Sequence, residues 1–229
     1  MSVDRQFWRD KSVFLTGHTG FKGGWLTIWL TDMGASVCGY ALPPDTEPSY
    51  FALCGLERKV KSVVGDIRNS AALTRSIAAA RPDIVFHLAA QPLVRRSYGQ
   101  PAETFETNVL GTVNLLEAVR STDSVKAVVV VTSDKCYENS EWPWSYRETD
   151  PLGGHDPYSA SKACAEIVCA AYQRSFFEIR ESNASLATVR AGNVIGVGDW
   201  SADRIIPDAV KAFTRGIPLL VRNPSSVRP

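Results

Sequence analysis

Ser12-Val13-Phe14-Leu15-Thr16-Gly17-His18-Thr19-Gly20-Phe21-Lys22-Gly23, with Trp25-Leu26-Thr27-Ile28-Trp29-Leu30 close behind, is the stretch that decides the fold. Its first five residues are apolar, β-branched or aromatic, and too few for a helix, which predicts a buried strand. From Trp25 the apolar side chains recur at helical spacing. Between the two, glycines hold the first, fourth and seventh places of a seven-residue loop. Glycine permits a tight turn and a close backbone approach to a ligand, and a helix start supplies unpaired N–H groups and the positive end of a dipole. A strand, such a loop and a helix in succession form a cradle for a pyrophosphate. Taken alone, the glycines also fit an ordinary turn; their place directly after the first strand argues for the cradle.

Working outward, further short apolar runs lie at 36–40, 60–64, 83–88, 127–131 and 184–189. Helical patterns fall at 71–80, 108–119, 160–177 and 207–214, and a last strand is expected at 219–221. Continuous apolar strands separated by helices are buried on both faces, which predicts a doubly wound α/β domain, a parallel sheet of the Rossmann type. Residues 1–190 are expected to form this dinucleotide-binding domain, with 191–229 the loop-rich start of a small substrate-binding region. The final residues, Asn223 to Pro229, read as an interrupted element.

The chain has 229 residues and is 45% hydrophobic, enough to bury a real core. Lys and Arg total 25 against 24 Asp and Glu, so the basic footprint of a nucleic-acid binder is missing and an anionic ligand must be held by local geometry. The first residues lack the pattern of a signal peptide, and no apolar run is long enough to span a bilayer. Five cysteines, an odd number without a CxxC pair, argue against a disulfide framework and a structural zinc site. A cytoplasmic protein with no metal and no membrane partner is the expectation.

The GxxGxxG spacing of Gly17, Gly20 and Gly23 resembles the extended short-chain dehydrogenase/reductase family, and the wording GHTGFKG followed by GWL resembles its CDP-glucose 4,6-dehydratases. That resemblance implies NAD as cofactor, held by Gly17, Thr19, Gly20, Phe21, Lys22 and Gly23. It further implies Asp66-Ile67 as the adenine-binding pair, Leu88-Ala89-Ala90-Gln91 as a loop beside the cofactor, and Asn108 as part of the same site. Read as residues alone, Asp66 and Asn108 are also ordinary helix caps. Tyr40-Ala41 stand where a ribose-binding acid is usual, and no arginine is there for a 2′-phosphate, which leaves NAD favoured over NADP.

Tyr158-Ser159-Ala160-Ser161-Lys162 places a phenol and an ammonium one helical turn apart on one face. A free tyrosine is a poor base, but a neighbouring cation favours its phenolate. Tyr158 then takes the proton of a sugar hydroxyl while Lys162 also holds the nicotinamide ribose. Thr132-Ser133-Asp134-Lys135 ends a strand at the sheet edge where such folds bind ligands. By resemblance, Thr132 orients the C4 hydroxyl, Asp134 protonates the departing C6 hydroxyl and Lys135 takes the C5 proton; relatives acting on dTDP-glucose carry an Asp-Glu pair in place of Asp134-Lys135. The plain alternatives are a surface pair for Tyr158 and Lys162 and a solvated turn for Asp134-Lys135.

Arg190 to Gly196 resembles the family's segment beside the substrate, which implies sugar-diphosphate contact at Asn193 and nucleotide contact near Arg204 and Arg228-Pro229. Trp142 and Trp144 fit a packed loop or a lid. The resemblance also implies a nucleotide-sugar substrate, CDP-glucose; a homodimer or dimer of dimers through helices 108–119 and 160–177; and a place in deoxysugar synthesis for a bacterial surface polysaccharide, the O-antigen of lipopolysaccharide. Relatives continue past Pro229 into a substrate-binding tail, so the chain reads as lacking that part. Two alternatives stay open: an epimerase or reductase of the same family, and an NAD-binding module without turnover.

Overall fold

A computed structural model describes residues 3–178 and 184–225. Its sheet has six parallel strands: β1 (Ser12–Thr16), β2 (Ser36–Ala41), β3 (Lys61–Val64), β4 (Ile84–His87), β5 (Ala127–Val131) and β6 (Ser185–Val189). They lie in the order β3-β2-β1-β4-β5-β6. The direction of winding reverses between β1 and β4, and ligands of open α/β sheets bind at the strand ends beside such a switch.

The helices are α1 (Arg5–Trp8), α2 (Phe21–Asp32), α3 (Tyr50–Leu53), α4 (Ser70–Ala80), α5 (Val94–Gly99), α6 (Pro101–Phe105), α7 (Gly111–Arg120), α8 (Pro157–Tyr172) and α9 (Ile205–Thr214). Strand alternation sends Val13 and Leu15 to one face, where they pack with Leu30 and Val37, and Phe14 to the other, with Leu73, Leu115 and Val128. Val13, Phe14 and Leu15 are wholly buried, and each side chain contributes about 1.5–3 kcal/mol relative to exposure. Both faces are therefore apolar, which is why β1 reads as an unbroken apolar run. No described helix is long and apolar enough to cross a membrane.

Three elements differ from expectation. Residues 219–221 form no strand; Leu220 is 76% exposed, and a β-rich composition makes a strand only where a neighbouring edge accepts it. The helix expected from Asn108 starts earlier: the chain is helical from Pro101 to Arg120, with a π-turn at Glu106–Leu110. Asn108 sits inside this turn and caps nothing. The helix expected from 160 starts at Pro157, with Asp156 as N-cap accepting from the Ser159 N–H at 2.9 Å. Arg228-Pro229, expected near the nucleotide, lie outside the described residues.

Candidate active site

The glycine loop turns at the end of β1, with Gly17 at φ +76° and its N–H bonded to Tyr40 O at 3.0 Å. A Cβ on Gly17 would lie 2.7 Å from Ala89 N, and one on Gly23 would lie 2.1 Å from Gly17 O. Neither position has room for a side chain. Gly20 caps α2 without a side-chain hydrogen bond, so the first-turn N–H groups stay available to an anion. These features fit a dinucleotide pyrophosphate. Thr19 Oγ1 donates to Leu42 O at 2.9 Å and ties the loop to the chain beyond β2.

Around this loop a buried polar chain sets the β4 end. Thr16 Oγ1 accepts from the Leu88 and Ala89 N–H groups, both at 3.1 Å, and so donates its own proton to His87 Nδ1 at 2.7 Å. Burial, with Lys162 second, pushes the His87 pKa down to about 3, so the ring is neutral. Asn108 Oδ1 accepts from Gln91 N at 2.8 Å, while Nδ2 donates to Gln91 O at 3.1 Å and to Ser161 Oγ at 2.8 Å. The β4 loop and α8 are thereby joined through one amide. Asp66 is not a cap either: Asn69 caps α4, and the Asp66 carboxylate accepts from Arg68 at 2.6 Å. The Arg68 bond holds its pKa below the ordinary value against the effect of burial. Ile67 is buried next to it, beyond β3.

Tyr158 and Lys162 share one face of α8, and both are buried. Lys162 Nζ donates to Val131 O at 3.2 Å. Burial first, and then the charge of Lys22, push the Lys162 pKa down to about 8. Beyond β5, Asp134 N donates to Ala191 O at 3.0 Å, and Ser133 Oγ donates to Asp134 Oδ1 at 3.0 Å while accepting from Lys135 N at 3.2 Å.

A cavity of about 820 Å³ opens over these ends, lined among others by Lys22, Asp134, Lys135, Tyr158, Asn193 and Arg204. It brings Lys22 of the glycine loop, Thr132, Asp134, Lys135, Tyr158 and the expected substrate contacts Asn193 and Arg204 to one space; Lys162 and the other expected cofactor residues, Asp66 and Ile67 among them, do not line it. Arg204 is paired with Asp199 at 2.8 Å. The Lys22 pKa is lowered by burial first, then by Arg204, against the pull of Asp134. Trp142 and Trp144 do not line the cavity; Trp142 packs on Tyr146, which stacks on Tyr137, so they form a packed loop rather than a lid.

Thr132 lines the cavity, and its Oγ1 donates to the Glu166 carboxylate while its lone pairs remain able to accept from a sugar hydroxyl. Ser133, the next residue, also lines the cavity and carries a hydroxyl beside Asp134. Sequence reading also missed Glu166 and Arg190, which are bonded at 2.9 Å with side chains 4% and 16% exposed. Burial alone pushes the Glu166 carboxyl up, but hydrogen bonds from Arg190, Thr132 and Thr188 hold it below the ordinary value, so it stays ionised. The available signal was a lone carboxylate among Ala and Cys, four residues beyond Lys162. Among the described residues, no cluster of His, Cys, Asp and Glu is placed to hold a metal ion.

A family model described as GDP-mannose 4,6 dehydratase matches residues 14–187. The chain is similar to CDP-glucose 4,6-dehydratase of Salmonella typhimurium, with 56% identity over 99% of this chain and 64% of that protein. It is 30% identical to dTDP-glucose 4,6-dehydratase of Xanthomonas campestris over 90% of this chain and 60% of that protein. Among solved structures it is similar to DesIV, the dTDP-glucose 4,6-dehydratase of Streptomyces venezuelae with NAD and TYD bound. That match has a TM-score of 0.78 and 28% identity, and covers 94% of this chain and 66% of that one. The chain spans less than two thirds of the length of these curated relatives.

Proposed function

This chain belongs to the GDP-mannose 4,6 dehydratase family, and on that premise we propose that it is an NAD-dependent nucleotide-sugar 4,6-dehydratase, a hydro-lyase acting on CDP-glucose. The choice of CDP-glucose is supported by the 56% identity to the Salmonella enzyme of that name. The observation that carries the reaction type is the meeting of Asp134 and Lys135 with Tyr158 in one cavity. Epimerases and reductases of nucleotide sugars need a residue that moves the hydroxyl proton, but not a second acid and base for removing water.

Bound at the glycine loop, NAD would supply a hydride acceptor for C4 and a hydride donor for C6 of the sugar. Tyr158 takes the C4 hydroxyl proton, with the Lys162 ammonium one turn away favouring its phenolate. The new C4 carbonyl makes the C5 proton acidic; Lys135 as the free amine removes it, Asp134 as the protonated acid gives its proton to the C6 oxygen, which leaves as water, and C5 regains a proton when hydride reaches C6. Thr132, fixed by its bond to Glu166, orients the C4 hydroxyl, with the Ser133 hydroxyl beside it. Asn193 holds the sugar-diphosphate and Arg204 faces the nucleotide. The glycine loop with Thr19, Phe21 and Lys22, together with Asp66, Ile67, Leu88, Ala89, Ala90, Gln91 and Asn108, holds the dinucleotide along the sheet edge.

The same reading assigns residues 1–190 to the cofactor domain and 191–229 to the beginning of the substrate region. It puts the enzyme in the cytoplasm, where nucleotide sugars and NAD are available, as a homodimer or dimer of dimers that supplies deoxysugars for a surface polysaccharide. Leu110 and Ile167, both more than half exposed on the helices expected at the dimer contact, support the assembly. The test is to incubate the chain with NAD and CDP-, dTDP- or GDP-linked hexoses and to detect the 4-keto-6-deoxy product by its ultraviolet absorbance in alkali. Product from CDP-glucose alone is expected. No product from any sugar, with NAD binding intact by calorimetry, replaces this reading with a binding module without turnover.

A further inference from the structure

Glu166 does not line the cavity, yet three elements that carry the proposed chemistry converge on it. Its carboxylate accepts from Thr132 at the end of β5, from Thr188 Oγ1 in β6 at 2.9 Å and from Arg190 just past β6 at 2.9 Å. The residue itself stands on α8 one turn beyond Lys162. Arg190 reaches on from this bond: its second nitrogen donates to Glu148 O at 3.2 Å, and its guanidinium lies 4.8 Å over the Tyr137 ring.

The strand pairing continues past β5 and β6, because Thr132 N donates to Val189 O at 2.9 Å and Asp134 N donates to Ala191 O at 3.0 Å. The backbone of Asp134 is thus set by residues 189–191, and those are pinned by Arg190 to Glu166. A buried ion pair is poor evidence for stability, since well-packed apolar residues serve a core equally well. What apolar residues cannot supply is a directed bond to each of two strand ends from one helix.

We infer that Glu166, acting through Thr132 and Arg190, is a positioning residue that holds Asp134 and Lys135 at a fixed place relative to Tyr158 and Lys162. The inference rests on the dehydratase reading. Without the Glu166 bonds, Thr132 and residues 188–190 lose their tie to α8, while Tyr158 and Lys162 keep the Asp156 cap and the Lys162 bond to Val131 O. The elimination step then suffers more than the oxidation step.

The test uses E166Q, which removes the charge facing Arg190 and leaves one accepting oxygen where the carboxylate has two, and R190K, which keeps the charge but loses the bond to Glu148 O and the guanidinium over the Tyr137 ring. Melting temperature, NAD affinity, kcat and KM for CDP-glucose are measured beside the unaltered chain, and the reduced-cofactor absorbance is followed during turnover. A misplaced acid–base pair is expected to lower kcat about 100-fold in E166Q and about tenfold in R190K. KM and NAD affinity stay near the unaltered values, and reduced cofactor accumulates. If E166Q does not fold, R190K decides by the same pattern. A folded variant with unaltered kcat overturns the inference. So does a folded variant whose kcat falls without any accumulation of reduced cofactor, because oxidation and elimination have then failed together. Absence of product from the unaltered chain overturns the dehydratase reading itself, and this inference with it.

Discussion

At the end of β1 the room for a ligand comes from side chains that are missing, whereas at the end of β5 the site is built from side chains that hold one another. A Cβ on Gly17 or Gly23 has nowhere to go, and the first-turn N–H groups of α2 stay available to an anion. Across the switch point, Ser133 bonds Asp134, Thr132 bonds Glu166, and Glu166 bonds Thr188 and Arg190. The first region depends on volume and fails when atoms are added. The second depends on charge and proton inventory and fails when a group of the same shape loses its charge or its hydrogen.

Replacing Tyr158 with Phe removes one oxygen and no packing, so it separates the two regions most sharply. We expect oxidation to fall by about 10³-fold or more while NAD affinity stays near that of the unaltered chain; a normally active variant removes Tyr158 from the chemistry. Lys135→Ala comes next. Elimination is expected to slow about 100-fold, with reduced cofactor accumulating because oxidation still proceeds. Dehydration at the ordinary rate shows that another group takes the C5 proton.

Gly23→Ala tests the volume side. Forcing a methyl toward Gly17 O is expected to destabilise the fold by about 1–3 kcal/mol and to weaken NAD binding, read from thermal melting and calorimetry. Unchanged values for both indicate that the loop is looser than its geometry implies. The smallest expected effect is one of pH. Lys162 is an ammonium below its pKa of about 8 and neutral above it. Its support of the Tyr158 phenolate is therefore lost as pH rises, and the rate is expected to fall about threefold between roughly pH 7.5 and pH 8.5. A profile that stays flat to pH 10 contradicts that role.

The volume-dependent region was legible in the sequence and much of the charge-dependent one was not. Strand, glycines and helix from Ser12 to Leu30 are local signals, and so is the four-residue spacing of Tyr158 and Lys162. Thr132 was legible as a hydroxyl at the end of β5, but its bond to Glu166 joins two elements and has no local signal. Glu166 and Arg190 lie on different elements and meet only when α8 packs under β6, so nothing local marks their bond. Asn108 looked like a cap because Asn favours helix starts; the π-turn that turns its amide toward Gln91 and Ser161 arises from packing against α8. The apolar run at 219–221 carried strand propensity, yet the structure gives it no strand.

In the proposed reaction one hydride leaves C4 and returns to C6 of the same sugar while Asp134 and Lys135 remove water between the two events. CDP-glucose labelled with deuterium at C4, incubated with the chain and NAD in ordinary water, tests it most directly when the product is examined by NMR and mass spectrometry. The account predicts deuterium at C6 and protium from solvent at C5. Product with deuterium lost to solvent or retained at C4, or a C4 epimer with no loss of water, contradicts it.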